Sequence, residues 1–431
     1  MESAGIIVFV GLIVFVSHLF TGIFERKRIP DVLLLMIIGL FLGPVFGLIS
    51  PADFGIAGPM FTTITLVIIL FEGGLELRID TLRNAIKGTS ALTTANFFVT
   101  MIVVGLIGWL LFGLQPVAAF MLGSILGGTS SAVVIPMVRH LRIKEDSKTI
   151  LVLESAVSDV LCIIFALALL ETFDVPEVKV GLIIGKIISS FALAGVMGLV
   201  GAVAWSILLN RVRTIRNTIF TTPAFVFIIF GIAEILGYSG AISALAFGIT
   251  LANIEIFNVS LLKRYVSSNP ITLNETEKVF FGEIVFLLKT FFFIYIGLSI
   301  QLVNIWAIVL GLIVTLVVFA LRIPVARFSL RKKFPTFDLT MISVMVPKGL
   351  AAAVLASLPF QKGIEGGEFI RDITYAVILL SITLSSVLIP LAEKSATVRG
   401  FYELFLRKGK QPDTNVEERA KPKMEEFTTL N

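Results

Sequence analysis

Thirteen apolar runs divide this chain, each close to the length of roughly 17 to 25 residues that a helix needs to cross the hydrocarbon core of a bilayer. They fall at about 5 to 24, 30 to 49, 55 to 77, 89 to 113, 117 to 138, 148 to 170, 180 to 209, 216 to 237, 240 to 257, 280 to 300, 302 to 327, 337 to 359 and 370 to 392. Inside lipid every backbone amide and carbonyl must find its partner within the protein, so runs of this length fold as helices. The expected fold is an all-α membrane protein with about thirteen transmembrane helices. Composition agrees: 56% of the 431 residues are hydrophobic and 15% charged, and the mean hydropathy is +0.98, far from soluble globular domains. The opening MESAGIIVFV lacks the basic stretch of a cleavable signal, so the first run is expected to stay as a span. A single cysteine, Cys162, excludes an internal disulfide framework.

The positive charges are sorted by membrane side rather than gathered for nucleic acid. The odd-numbered connections and the C-terminal segment hold 29 of the 35 lysines and arginines, whereas the even-numbered connections hold only Lys179, Lys362 and Arg371. By the positive-inside rule the N-terminus lies outside and the C-terminus in the cytoplasm. Residues 393 to 431 read as a charged cytoplasmic tail too polar to bury a core, and the ninth connection, near Ser260 to Glu277, as a segment along the inner surface.

Lys186, Lys289 and Lys348 fall within predicted spans. So do Glu154 and Asp159, in LESAVSDVLCIIFA. An ionised group there costs several kcal/mol at least, and by default it marks an ion or proton pathway. Asp159 is the leading candidate: its carboxylate is a hard oxygen donor suited to alkali cations, and desolvation favours its protonated form, so that cation and proton compete. Ser155 precedes it by one helical turn. Thr129 adds a hydroxyl and opened backbone inside GGTSSAVV, and Glu72 opens a Gly-Gly pair in segment three. Ser158, Ser130, Ser131 and Lys289 are further candidates, Lys289 with Glu283 as an alternative partner. Lys348 needs a carboxylate, and Glu154 is assigned to it as a structural charge pair, which leaves Asp159 for the cation.

Segment three, ILFEGGLELRI, and segment ten, FFIYIGLSIQL, align with Gly74 over Gly297. Their odd offset of seven segments makes this an inverted repeat, the signature of secondary transporters. The repeat predicts that segments five and twelve are equivalent and both discontinuous, since Gly127, Gly128, Thr129, Ser130 and Ser131 interrupt one, and Pro347, Lys348 and Gly349 the other. No Walker loop, nucleotide fingerprint, HExxH or paired CxxC occurs, so neither an enzyme nor a cofactor is expected and gradient-driven exchange remains.

FEGGLEL at 71 to 77, GGTSSAVV at 127 to 134, ESAVSDV at 154 to 160 and Lys348-Gly349 together resemble the NhaP-like sodium/proton antiporters of the monovalent cation/proton antiporter superfamily, over about residues 5 to 392. The resemblance implies a homodimer in the plasma membrane that serves pH homeostasis. It also implies a mobile core, about 89 to 170 and 302 to 392, containing two crossed unwound helices, and an interface part, about 5 to 77 and 180 to 300. An elevator-like movement of the core is implied, with Asp159, Ser155, Thr129 and Glu72 at the transport site and Glu154 paired to the basic residue of the second broken helix. Two residues depart from the family pattern: Ser158 stands where Asn is usual and Lys348 where Arg is usual. One carboxylate at that pair resembles the electroneutral branch, which exchanges one Na⁺ per H⁺. FFFIYIGLSI is similar to the tenth helix of glutathione-gated potassium efflux proteins, which makes K⁺/H⁺ exchange the alternative. A sodium-coupled symporter of an organic anion is a more distant one.

Overall fold

The computed structural model describes residues 8, 11–20, 22, 30–55, 57–76, 79–174, 180–212, 220–255, 275–302, 304–330 and 334–406. The ninth connection up to residue 274 and the tail beyond Leu406 lie outside the described residues; from Glu275 the connection is already the first turn of a helix. Among those described, helices account for nearly all regular structure and no strand occurs. In chain order they are α1 (Gly11–Phe20), α2 (Asp31–Leu40), α3 (Ala57–Glu76), α4 (Ile79–Leu110), α5 (Pro116–Ile125), α6 (Ser131–Arg139), α7 (Glu145–Glu171) and α8 (Val180–Val212). There follow α9 (Thr221–Ile235), α10 (Gly240–Ala252), α11 (Glu275–Ser299), α12 (Ile305–Leu330), α13 (Thr336–Val344), α14 (Leu350–Gln361), α15 (Gly367–Lys394) and α16 (Ala396–Leu406). Six contain stretches long and apolar enough to cross a membrane, those in α4, α7, α8, α11, α12 and α15; several shorter apolar helices accompany them.

Glycines set the closest helix contacts, and they do so twice in matching fashion. A methyl group on Gly74 of α3 would lie 2.5 Å from the Leu245 carbonyl oxygen of α10, and one on Gly248 of α10 would lie 2.3 Å from the Phe71 carbonyl oxygen. At the α2–α11 contact, a methyl on Gly39 would lie 2.1 Å from the Ile294 carbonyl oxygen, and one on Gly297 would lie 2.2 Å from that of Met36. Distances this short exclude any larger side chain and let the backbones touch. Gly74 and Gly297, aligned by the sequence repeat, therefore perform the same task in two places.

The expected interruptions are present. Segment five stops as α5 at Ile125, runs without helix through Thr129 and Ser130, and restarts as α6. Segment twelve stops as α13 at Val344 and restarts as α14 at Leu350 after five non-helical residues. Segment two has a smaller irregularity: α2 passes at Phe41 into a wide turn of π-helix to Val45 around Pro44, whose missing N–H cannot continue the regular ladder.

Two expectations change. α4 begins at Ile79, some ten residues before the span expected from hydropathy, so that part of the third connection is helical. The tail also does not become unstructured at residue 393: α16 folds back with Tyr402 and Leu406 buried, and the Arg327 guanidinium donates to the Phe405 carbonyl at 2.5 Å. The apolar positions 402 and 406 recur at helical spacing, a local pattern that the tail's overall charge obscures.

Candidate functional site

The two interruptions meet. The Ser130 N–H donates to the Pro347 carbonyl at 2.8 Å, and a methyl group on Gly349 would lie 1.9 Å from Ser130 Oγ. Glycine at 349 is thus what allows the second break to sit against the first. Each break leaves a helix C-terminus with free carbonyls and a helix N-terminus with free amides, which carry partial charges of opposite sign. Lys348 Nζ donates to the Gly128 carbonyl at 2.7 Å, placing an ammonium in the stretch that follows the C-terminus of α5. Asp159 on α7 answers at the other end: its Oδ2 accepts from Ser131 N–H at 3.2 Å and from Ser131 Oγ at 2.8 Å, at the first residue of α6. A carboxylate at a helix N-terminus is well placed for the same reason that anions gather there.

Asp159 faces a cavity of about 260 Å³ together with Glu72, Ser130, Ser131 and Lys289; the remaining walls are mostly aliphatic. Thr129, Ser155 and Ser158 lie behind this wall and are buried. There Thr129 N–H donates to Ser158 Oγ at 3.0 Å, and Ser155 Oγ donates to the Val152 carbonyl at 2.9 Å. Of the expected site residues, the structure therefore brings Asp159, Glu72, Ser130 and Lys289 onto one cavity, and gathers Thr129, Ser155 and Ser158 beside it. Ser131, only a secondary candidate from sequence, touches the Asp159 carboxylate directly.

A second cavity, of about 470 Å³, lies at the other ends of the same helices, lined by Thr62 of α3, Tyr295 of α11 and Ser357 of α14. Between the two, these helices bury Leu66, Phe292 and Val354. Asp159 lines the first cavity and is absent from the walls of the second.

The expected Glu154–Lys348 pair is corrected. Glu154 is bound in bidentate fashion by Arg322 of α12, both side chains being fully buried, and Arg322 Nε also donates to the Ile342 carbonyl at 3.1 Å. The planar guanidinium matches a carboxylate with two parallel hydrogen bonds, which an ammonium cannot do. In sequence Arg322 is readily grouped with Arg327 and the basic loop beyond; the signal that separates them is its place about a turn and a half inside the apolar run. Lys289 is likewise placed away from Glu283: its Nζ lies 3.3 Å from Asp31 Oδ2 on α2.

A model of the family described as sodium/hydrogen exchanger, transmembrane, matches residues 11–394. The chain belongs to the sodium/hydrogen exchanger family. Among curated relatives, it is 24% identical to a K(+)/H(+) antiporter NhaP2 of Shewanella sp. (strain ANA-3) over 90% of this chain and 66% of that protein. It is also 32% identical to Na(+)/H(+) antiporter 1 of Methanocaldococcus jannaschii over 40% of this chain and 41% of that one. The chain spans just under two thirds of the length of the NhaP2 relatives. Its fold is that of the sodium proton antiporter MjNhaP1 from Methanocaldococcus jannaschii, with a TM-score of 0.71 at 22% identity, covering 90% of this chain and all of that one. This exchanger-family chain is accordingly a multi-pass membrane protein related to transporters rather than to enzymes.

Proposed function

We propose that the chain is a secondary antiporter that exchanges a monovalent cation, Na⁺ first, for a proton at one competitive site built on Asp159. The observation that carries this reading is Asp159 itself, a carboxylate set at the junction of two interrupted helices and opening onto one of two cavities that lie at opposite ends of α3, α11 and α14. Its oxygens can take a dehydrated alkali cation or a proton, and Ser131, Glu72 and Ser130 supply further oxygens on the same cavity. Thr129, tied through its N–H to Ser158 beside Asp159, and Ser155, one helical turn before it on α7, join the ligands in this scheme when the site rearranges. The cavity beside Asp159 lies toward the ends joined to the basic connections, so the conformation is the one open to the cytoplasm.

Thirteen spans, an outside N-terminus and crossing of the two broken segments fit this scheme, as do a homodimer in the plasma membrane and an elevator-like movement of a core (89 to 170, 302 to 392) against an interface part (5 to 77, 180 to 300). With Glu154 neutralised by Arg322, the charge that changes is that of Asp159, and exchange is electroneutral, one cation per proton. K⁺ is the second reading, favoured by the relatives that are K(+)/H(+) antiporters. A symporter of organic anions is disfavoured, because the cavity sets two acids, Glu72 and Asp159, against a single lysine, Lys289.

The test is dequenching of a pH dye in proteoliposomes holding the full chain, with Li⁺, Na⁺, K⁺ and Rb⁺ added in turn, with and without a membrane potential. Na⁺-driven proton movement independent of potential is expected in the wild type and none in Asp159→Asn. Wild-type exchange in that variant would remove the proposal, and K⁺ outcompeting Na⁺ would select the second reading.

A further inference from the structure

We propose that Lys289, restrained by Asp31, sets how tightly a cation arriving from the cavity is held at Asp159. This rests on the antiport reading and adds to it a residue pair outside the two broken helices. Lys289 is on the cavity wall with Asp159 and Glu72, whereas Asp31 is not part of that wall. The pair, 3.3 Å apart with side chains 16% and 15% exposed, is a fixed dipole whose positive end faces the passage. Apolar walls such as Ile69, Val285 and Leu350 limit screening there, so a charge on the wall acts over a longer reach than in bulk water. The neighbouring charged and titratable groups are Glu72 and Asp159 across the cavity. On α1, His18 is engaged with the Val14 carbonyl and the Phe286 ring.

A purely mechanical role, fastening α2 to α11, explains the pair less well. That contact is already made by the backbone approach at Gly39 and Gly297, and a lysine needed only as a fastener has no reason to lie on the wall of the ion cavity. As an electrostatic element the pair has a distinctive consequence, because its two halves act in opposite directions on a cation. Lys289→Met leaves the Asp31 carboxylate uncompensated and lowers the apparent KM for the cation. Asp31→Asn leaves the ammonium uncompensated and raises it. Each shift should be about three- to tenfold. The double variant returns toward the wild type, and Lys289→Arg keeps it.

The experiment measures Na⁺-driven proton flux in proteoliposomes of the full chain, with the cation added from each side in turn and Asp159→Asn vesicles as background. Thermal stability of each purified variant is recorded alongside. Opposite KM shifts of the single variants, largest for Na⁺ added on the side to which the cavity opens, support the proposal. Shifts in the same direction, or none, overturn it while leaving the antiport reading intact; absence of exchange in the wild type overturns that reading instead. Should Lys289→Met fail to fold, Lys289→Gln and the Asp31→Asn arm decide: a KM in Asp31→Asn at or below that of the wild type contradicts the inference.

Discussion

Glu154 and Asp159 sit five residues apart on α7, in the same apolar helix, and meet opposite surroundings. Glu154 is fully buried and clamped by the Arg322 fork, which itself is tied to the Ile342 carbonyl. Asp159 is partly exposed to a cavity, and its Oδ2 takes hydrogen bonds from Ser131 at the first turn of a helix. Two carboxylates of nearly equal intrinsic chemistry thus receive different work from their partners. A guanidinium with matched geometry holds the first carboxylate in place with two parallel hydrogen bonds, whereas the second takes single hydroxyl and amide donors from Ser131 and faces a cavity, the arrangement on which the proposed exchange of cation for proton rests. An intramembrane acid is informative only together with what faces it.

Substitutions at the two acids separate these roles most sharply. Asp159→Asn is expected to abolish exchange, by at least about a hundredfold, while the melting temperature of the purified protein stays near that of the wild type. Glu154→Gln and Arg322→Met each strand a buried charge and are expected to destabilise by about 3 to 5 kcal/mol, read as lower melting temperature and yield. The double change Glu154→Leu with Arg322→Met should recover much of that loss. If Glu154→Gln were stable and merely shifted ion affinity, the division of labour between the two acids would be wrong.

Smaller effects sharpen the comparison at the helix junction. Gly349→Ala drives a methyl into Ser130 and is expected to cut exchange about tenfold or more with lowered stability. Adding Ser130→Gly should restore part of both, because the next atom, Ser130 Cα, lies 3.6 Å away. Ser131→Ala removes one hydroxyl donor from Asp159 and should raise the apparent KM for the cation about three- to tenfold, the size of a typical single hydrogen bond, with stability little changed.

Much of this was legible in the sequence because it is written in composition. Apolar runs with sorted basic residues mark helices, Gly-Gly-Thr-Ser-Ser and Pro-Lys-Gly weaken a helix at mid-span in two corresponding segments, and Asp159 stands out against its greasy neighbours. Pairing was harder to read. Whether Glu154 meets Lys348 or Arg322 depends on how α12 packs beside α7, which hydropathy does not encode, and Arg322 lies close enough to the basic end of its run to be counted with the loop. Lys289 could equally reach Glu283 on its own helix; the approach of α2 through Gly39 brings Asp31 instead. Composition sets Ser131 level with Ser130, and only the start of α6 turns its N–H and hydroxyl together toward Asp159. Helix α16 was concealed by the charge of the residues that follow it.

One reading would bear most directly on the idea that a metal ion and a hydrogen ion replace each other on the Asp159 carboxylate: proton release from purified, detergent-solubilised protein when Na⁺ is added in weak buffer. Saturable release of about one proton per chain is expected, needing more Na⁺ as the pH is lowered, and none in Asp159→Asn. Equal release from wild type and Asp159→Asn, or Na⁺ binding indifferent to pH, would contradict it.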